Sequence, residues 1–204
     1  LRDVATDMPA GPSEVEVLAD ETANPVFVAA DLLSQAEHGV DSQAILVTTS
    51  PTLCQAVQQE VERQLALLPR KEIAARSLAN SKLIVAKDME EAIELTNAYA
   101  PEHLIIQTAD YARVAERVTN AGSVFLGPYA TESAGDYASG TNHTLATNGY
   151  ARAYSGVSLD SFIRKITFQE ITREGLHRIG PAIETMAANE QLDAHKNAVT
   201  VRMK

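Results

Sequence analysis

Val and Leu alternate with acids from Glu14 to Ala19, a period of two that predicts a β-strand. Asn24-Pro25 follows, a helix-start pattern with proline at the first helical position, and the helix is predicted to run to about His38, where Gly39 stops it. Ala44 to Thr48 is a second apolar, β-branched run, and Ser50-Pro51 opens a long amphipathic helix to about Leu68. The alternation continues with a strand from Leu83 to Ala86, a helix from its Asp88 cap to about Tyr99, a strand from Leu104 to Gln107, a helix from Tyr111 to Thr119 and a last strand from Ser123 to Leu126.

Strands joined through helices need crossover connections, so the sheet is expected to be largely parallel and covered on both faces. The predicted fold is α/β: a doubly wound, Rossmann-like sheet, incomplete, with a small C-terminal helical appendage. From Gly127 to about Gly156 the chain is rich in Gly, Ser, Thr, Asn and Tyr and has no period, and so long a loop inside a domain is usually functional. Beyond Ser158 the segments to Gly175, from Leu176 to Ala188 and from Asp193 to Lys204 read as short helices. The expected division is a Rossmann-like domain carrying the site over residues 1–157 and a helical dimerisation appendage over residues 158–204. Open α/β sheets bind ligands outside the carboxyl ends of their strands, so the site is expected there.

Composition narrows the function classes. The 204 residues include no Trp, which leaves Ala, Val, Leu and Ile to build the core. A formal charge of −10 and the lack of a basic stripe argue against a nucleic-acid partner. No apolar run approaches the roughly 20 residues that span a bilayer, and the N-terminus lacks a signal pattern. A soluble, cytoplasmic protein without a membrane partner is expected. The single cysteine, Cys54, cannot form an intramolecular disulfide or a cysteine-based zinc site, so any metal must be held by N and O donors. A start at Leu1 suggests a piece of a longer chain.

Five places carry candidate chemistry. Gln35 and His38, three apart at a helix end, share a face and can share a metal, although a polar pair there also serves as a cap or meets solvent. Glu102-His103 follows Pro101 directly and puts two acid/base side chains at the start of a strand, where extended geometry points neighbours apart. Asp136 and His143 stand in the long glycine-containing loop, where an aspartate is ordinarily a turn former. Glu190 and His195 flank the start of the last helix, with Asp193 as its expected N-cap; a helix N-terminus favours the neutral imidazole that binds metals. Pro9-Ala-Gly-Pro-Ser13 is a rigid turn delivering Ser13 to the first strand. Glycine-rich nucleotide loops and the common hydrolase motifs are absent.

Taken together, Asp7 to Val15, Asp31 to Gly39, Pro101-Glu-His-Leu104, Ala121 to Gly127, Ser133 to His143 and Ala194 to Val199 resemble histidinol dehydrogenase. The six blocks stand in the family's order and match its C-terminal half. The remaining half, with a second nucleotide-type domain, would be missing. The resemblance implies one zinc ion per site bound by Gln35, His38, Asp136 and His195, with the substrate's imidazole and amine completing its sphere. It implies that Ser13, His143 and Glu190 contact the substrate and that Glu102 and His103 are the acid/base pair. The implied activity is two-step oxidation of L-histidinol through L-histidinal to L-histidine, with one NAD consumed per step, in a homodimer whose subunits share sites. Most NAD contacts would lie in the missing half, leaving this chain inactive alone. Two alternatives are a non-catalytic zinc-binding dimerisation module and a metallohydrolase in which Glu102 activates water.

Overall fold

The computed structural model describes residues 8–204. The described residues divide into two compact units, the second beginning at Ile163.

The first unit is built on five parallel strands, β1 (Glu14–Ala19), β2 (Gln43–Thr48), β3 (Lys82–Val85), β4 (His103–Gln107) and β5 (Ser123–Leu126). Their order in the sheet is β3-β2-β1-β4-β5, so the winding reverses between β1 and β4. Between them run α1 (Pro25–Ala36), α2 (Pro51–Leu65), α3 (Lys71–Leu78), α4 (Met89–Tyr99) and α5 (Tyr111–Ala115). The expected α/β, doubly wound, parallel architecture is present. The helix starts are chemical: the side chains of Asn24, Ser50 and Asp88 accept from the backbone N–H groups of Val26, Leu53 and Glu91.

Each face of the sheet has its own core. Val17, Leu46 and Ile105 pack with Val28 and Leu32 of α1 on one side, while Leu18, Leu104 and Ile106 pack with Ala92 and Ile93 of α4 on the other. Full burial of one such side chain contributes about 1.5–3 kcal/mol. The alternating acids of β1 do not face water, because β1 is the central strand: all six of its residues are buried. Glu16 is instead held by a hydrogen bond from the Thr96 hydroxyl, and burial pushes its carboxyl up to about 7.

Two short helices were not expected. Beyond the long helix that ends at Leu65, α3 occupies residues read as a connection, and α6 (Glu132–Tyr137) lies within the long polar loop. Thr131 caps α6, its hydroxyl accepting from Ala134 N–H. Gly135 lets α6 approach β5, since a Cβ there would stand 2.6 Å from the Phe125 ring.

In the second unit α7 (Arg173–Asn189) packs against α8 (Asp193–Thr200). Gly180 of α7 faces the Met203 thioether, which follows α8. The helix expected between Ser158 and Gly175 is reduced to one 3-10 turn at Leu159–Ser161. Its β-branched residues, among them Ile163, Ile166, Thr167 and Ile171, lose side-chain freedom in a helix and resist forming one. Asp193 is the first residue of α8, not its cap; Leu192 holds that position.

Candidate metal and acid/base site

The tightest polar cluster forms where β1 and β4 begin. Ala100 closes α4 in the left-handed conformation, φ 56°, with its N–H bonded to Thr96 O at 2.8 Å. This alanine is fully buried, and the strained turn it makes delivers Pro101-Glu102-His103 into β4. Gly122 secures the other side: a Cβ there would sit 2.5 Å from the Glu102 carbonyl oxygen. The close approach lets Gly122 N–H and Ser123 N–H donate to Pro101 O and Glu102 O, both at 2.9 Å.

Glu102 and His103 were expected to point apart. They converge, because Glu102 stands in the bend before β4 and only His103 belongs to the strand. Glu102 Oε2 lies 3.6 Å from His103 Nδ1 and accepts the backbone N–H of Glu14 at 2.8 Å. Burial pushes the Glu102 carboxyl up to about 7; the repulsion of Glu14 and Asp136 adds to this, and hydrogen bonds from Glu14 N–H and the Ser13 side chain oppose it. A carboxyl tuned to that range exchanges protons readily near neutral pH.

His103 Nδ1 lies 3.1 Å from Glu14 O. A carbonyl only accepts, so this contact assigns the proton of a neutral His103 to Nδ1 and leaves a lone pair on Nε2. Nε2 is buried and has no hydrogen-bond partner among the described residues. Burial lowers the imidazole's pKa, which favours the neutral ring; the Glu14 carbonyl and Asp136 pull the other way, while His38 and His143 reinforce the lowering.

Beside this pair, His38, Glu132 and Asp136 each offer a ligand atom within 4.8 Å of the others, an arrangement that can hold a metal ion. His38 follows α1 directly and Asp136 lies one helical turn after Glu132 on α6. Gln35, one turn before His38, is fully buried, and neither its amide oxygen nor its amide nitrogen has a hydrogen-bond partner among the described residues. Glu132 is only 2% exposed, and its carboxyl is pushed up to about 8 by burial first and then by Asp136, Glu102 and Asp31. Asp31 accepts a bond from Gln107 at 2.7 Å and is itself raised to about 7 by burial.

Ser13, Glu102, His103, His38, Asp136 and His143 thus stand in one electrostatic neighbourhood. Its place corrects the sequence expectation. Glu14 pairs with Gln43, Val15 with His103 and His103 with Ser123, so the cluster lies at the amino ends of the strands. The expectation failed because α1 returns to the amino ends before presenting His38. Glu190 and His195 belong to the second unit, where Glu190 caps the C-terminus of α7 and His195 is exposed in the first turn of α8.

The family model described as histidinol dehydrogenase matches residues 1–203. The chain belongs to the histidinol dehydrogenase family. It is 79% identical over 203 residues to the histidinol dehydrogenase of Bacteroides thetaiotaomicron, covering 100% of this chain and 47% of that protein. It is 57% identical to the chloroplastic histidinol dehydrogenase of Arabidopsis thaliana, covering 98% of this chain and 43% of that one. The crystal structure of histidinol dehydrogenase from Elizabethkingia anophelis superposes with a TM-score of 0.95 at 62% identity, covering 98% of this chain and 46% of that chain. The chain therefore spans about half the length of the histidinol dehydrogenases it matches.

Sequence reasoning missed Glu132, the third donor of this cluster. Thr131 followed by an acid is a helix-start pattern that would have found it, placing Glu132 and Asp136 one turn apart.

Proposed function

We infer that this chain supplies the metal, substrate and acid/base groups of a zinc- and NAD-dependent histidinol dehydrogenase, oxidising L-histidinol through L-histidinal to L-histidine. The observation that carries the reading is the unpartnered, buried Nε2 of His103, held as a proton acceptor beside Glu102 and next to a group of metal donors.

The donor set suits zinc. Imidazole and carboxylate are its ordinary nitrogen and oxygen ligands, and a buried amide without a hydrogen bond is relieved by a cation. His38, Asp136 and Gln35 would hold the ion from the first unit, and the family resemblance adds His195. Bound there, zinc supplies Lewis acidity that fixes the donor atoms of histidinol in place. Ser13, His143 and Glu190 are the further substrate contacts in this reading.

The chain's own groups move the protons. As the alcohol carbon gives its hydride to NAD, His103 Nε2 takes the hydroxyl proton, leaving the aldehyde and NADH. Protonated His103 then returns its proton to the aldehyde oxygen while Glu102 removes one from the water that adds to the carbonyl carbon, which gives the diol and restores neutral His103. His103 accepts a hydroxyl proton of the diol as a second hydride leaves to a second NAD, and the carboxylic acid so formed ionises to the carboxylate by giving its proton to water. Burial lowers the imidazole's pKa, which favours passing the accepted proton on and returning His103 to its neutral form. The subunits are proposed to pair as a homodimer that shares its sites.

The test combines this chain with the part of the Bacteroides thetaiotaomicron enzyme that it does not match. L-histidinol and NAD should yield two NADH per substrate, and the same mixture made with His103→Asn should be at least about a hundredfold slower. Equal NADH rates from both mixtures would refute the assignment.

A further inference from the structure

We propose that Glu14 is a positioning residue whose carboxylate ties the loop carrying His143 to the start of β1, an inference that rests on the reading that His143 contacts the substrate. Glu14 Oε1 accepts the backbone N–H of Asn148 at 2.9 Å, a bond between residues 134 apart in the chain. Thr147-Asn148-Gly149-Tyr150 is a tight turn, with φ of 54° at Asn148 and 74° at Gly149, closed by Tyr150 N–H donating to Thr147 O at 3.0 Å. Asn-Gly is the pair that suits two successive left-handed positions. Such a turn makes no use of the N–H of its second residue, which must find an acceptor outside it. Glu14 supplies that acceptor.

The turn closes a short buried floor. Leu145, Ala146 and Thr147 are buried, whereas His143, shortly before them, is exposed. At its first end the floor is held by Val157 N–H, which donates to Thr144 O at 3.0 Å, and by Leu145, which packs against Gly122 and Gly156. At its far end the tie to the sheet is the Glu14 carboxylate. Asn142 Oδ1 accepts Thr144 N–H at 2.6 Å, which stiffens the chain between His143 and the floor. A shift of the floor therefore carries His143 with it, and His143 stands close enough to His103 to bear on its protonation. The backbone of Glu14 meanwhile serves the acid/base pair, its N–H bonded to Glu102 and its carbonyl to His103. Replacing the side chain leaves those two bonds in place. Glu14 thus holds the chemistry through its backbone and the substrate contact through its side chain, and substitution separates the two.

The test is steady-state NADH formation by the enzyme combined from this chain and the unmatched part of the Bacteroides thetaiotaomicron enzyme, with L-histidinol varied at saturating NAD. Glu14→Met removes the acceptor and keeps the length, Glu14→Gln keeps an acceptor, and His143→Ala deletes the contact itself. Glu14→Met should raise KM for L-histidinol at least about tenfold and keep kcat within about threefold, the pattern of lost binding with the chemistry intact. Glu14→Gln should recover most of that loss, because an amide oxygen can still accept the Asn148 N–H. Added to His143→Ala, whose own KM is raised, Glu14→Met should raise KM by less than about a further threefold, since a residue acting through His143 then has nothing to position. Circular dichroism checks folding, and Glu14→Ala replaces Glu14→Met if that variant does not fold.

If wild type makes no NADH from L-histidinol, or His143→Ala leaves KM unchanged, the reading of the site fails and the positioning role fails with it. If His143→Ala raises KM while folded Glu14→Met does not, or Glu14→Met lowers kcat as much as it raises KM, or its effect adds in full to that of His143→Ala, the reading stands and Glu14 does not position His143. Failure of both Glu14→Met and Glu14→Ala to fold, with Glu14→Gln folded, assigns the side chain to stability alone and overturns the proposal.

Discussion

The carbonyl oxygen of Glu14, the first residue of β1, lies 3.1 Å from Nδ1 of His103, the first residue of the parallel strand β4. Strand register therefore sets the tautomer of the residue proposed as the base. Nitrogen-15 NMR of selectively labelled protein should find neutral His103 protonated on Nδ1, with the signature of a free lone pair on Nε2. A proton on Nε2 would leave the proposed base without an acceptor and end its role in taking the hydroxyl proton.

Glu102 shares that register, since its Oε2 is bonded to the Glu14 N–H. In the combined enzyme only the second oxidation needs added water. Glu102→Gln should slow oxidation of L-histidinal by about a hundredfold or more and slow oxidation of L-histidinol much less. Equal losses in single-turnover NADH formation from the two substrates would remove hydration from the tasks of Glu102.

Burial of Glu16 in the central strand has a consequence for stability. Its folded pKa, about 7, stands above its ordinary 4.5, so between those values the folded state binds more protons than the unfolded state. Linkage then makes the contribution of Glu16 to stability fall as pH rises from about 4.5 and reach its least favourable value above about 7. Glu16→Gln removes the ionisation and keeps an acceptor for the Thr96 hydroxyl. Thermal melting should show the variant gaining on wild type between pH 5 and pH 8. A constant difference across that range would mean that Glu16 is not protonated in the folded chain.

Much of this was legible in the residues. Period and punctuation marked all five strands and the order of the helices around them, because each capping side chain and each apolar run acts locally. Gln35, His38 and the Glu102-His103 pair were visible for the same reason, as polar residues at element boundaries. What was not legible depends on neighbours distant in sequence. The acids of β1 alternate as they would on a half-solvated strand, and only its central place in the sheet buries them. α6 has no apolar stripe and three small residues, Ser133, Ala134 and Gly135, within it; Gly135 fits against Phe125, 10 residues earlier in the chain. With α6 hidden, Glu132 was hidden too. The end of the sheet that carries the site was misjudged because it depends on where α1 terminates.

The last prediction concerns the proposed sharing of sites between subunits. Gln35, His38 and Asp136 belong to the first unit and His195 to the second. In the homodimer reading each zinc takes His195 from the partner chain. Asp136→Ala and His195→Ala, each made in the combined enzyme, should be nearly inactive alone because every site in either dimer carries one lesion. After mixing and subunit exchange, half the dimers are expected to pair one variant with the other. In such a dimer one site collects both lesions and the other collects none. Activity should therefore recover to about one quarter of wild type, measured as NADH formed from L-histidinol once exchange is complete. If His195 serves the zinc of its own chain, exchange leaves a lesion in every site and no activity returns. Recovery after mixing thus separates the two arrangements by a large factor, and its absence in demonstrably exchanged dimers would end the shared-site reading.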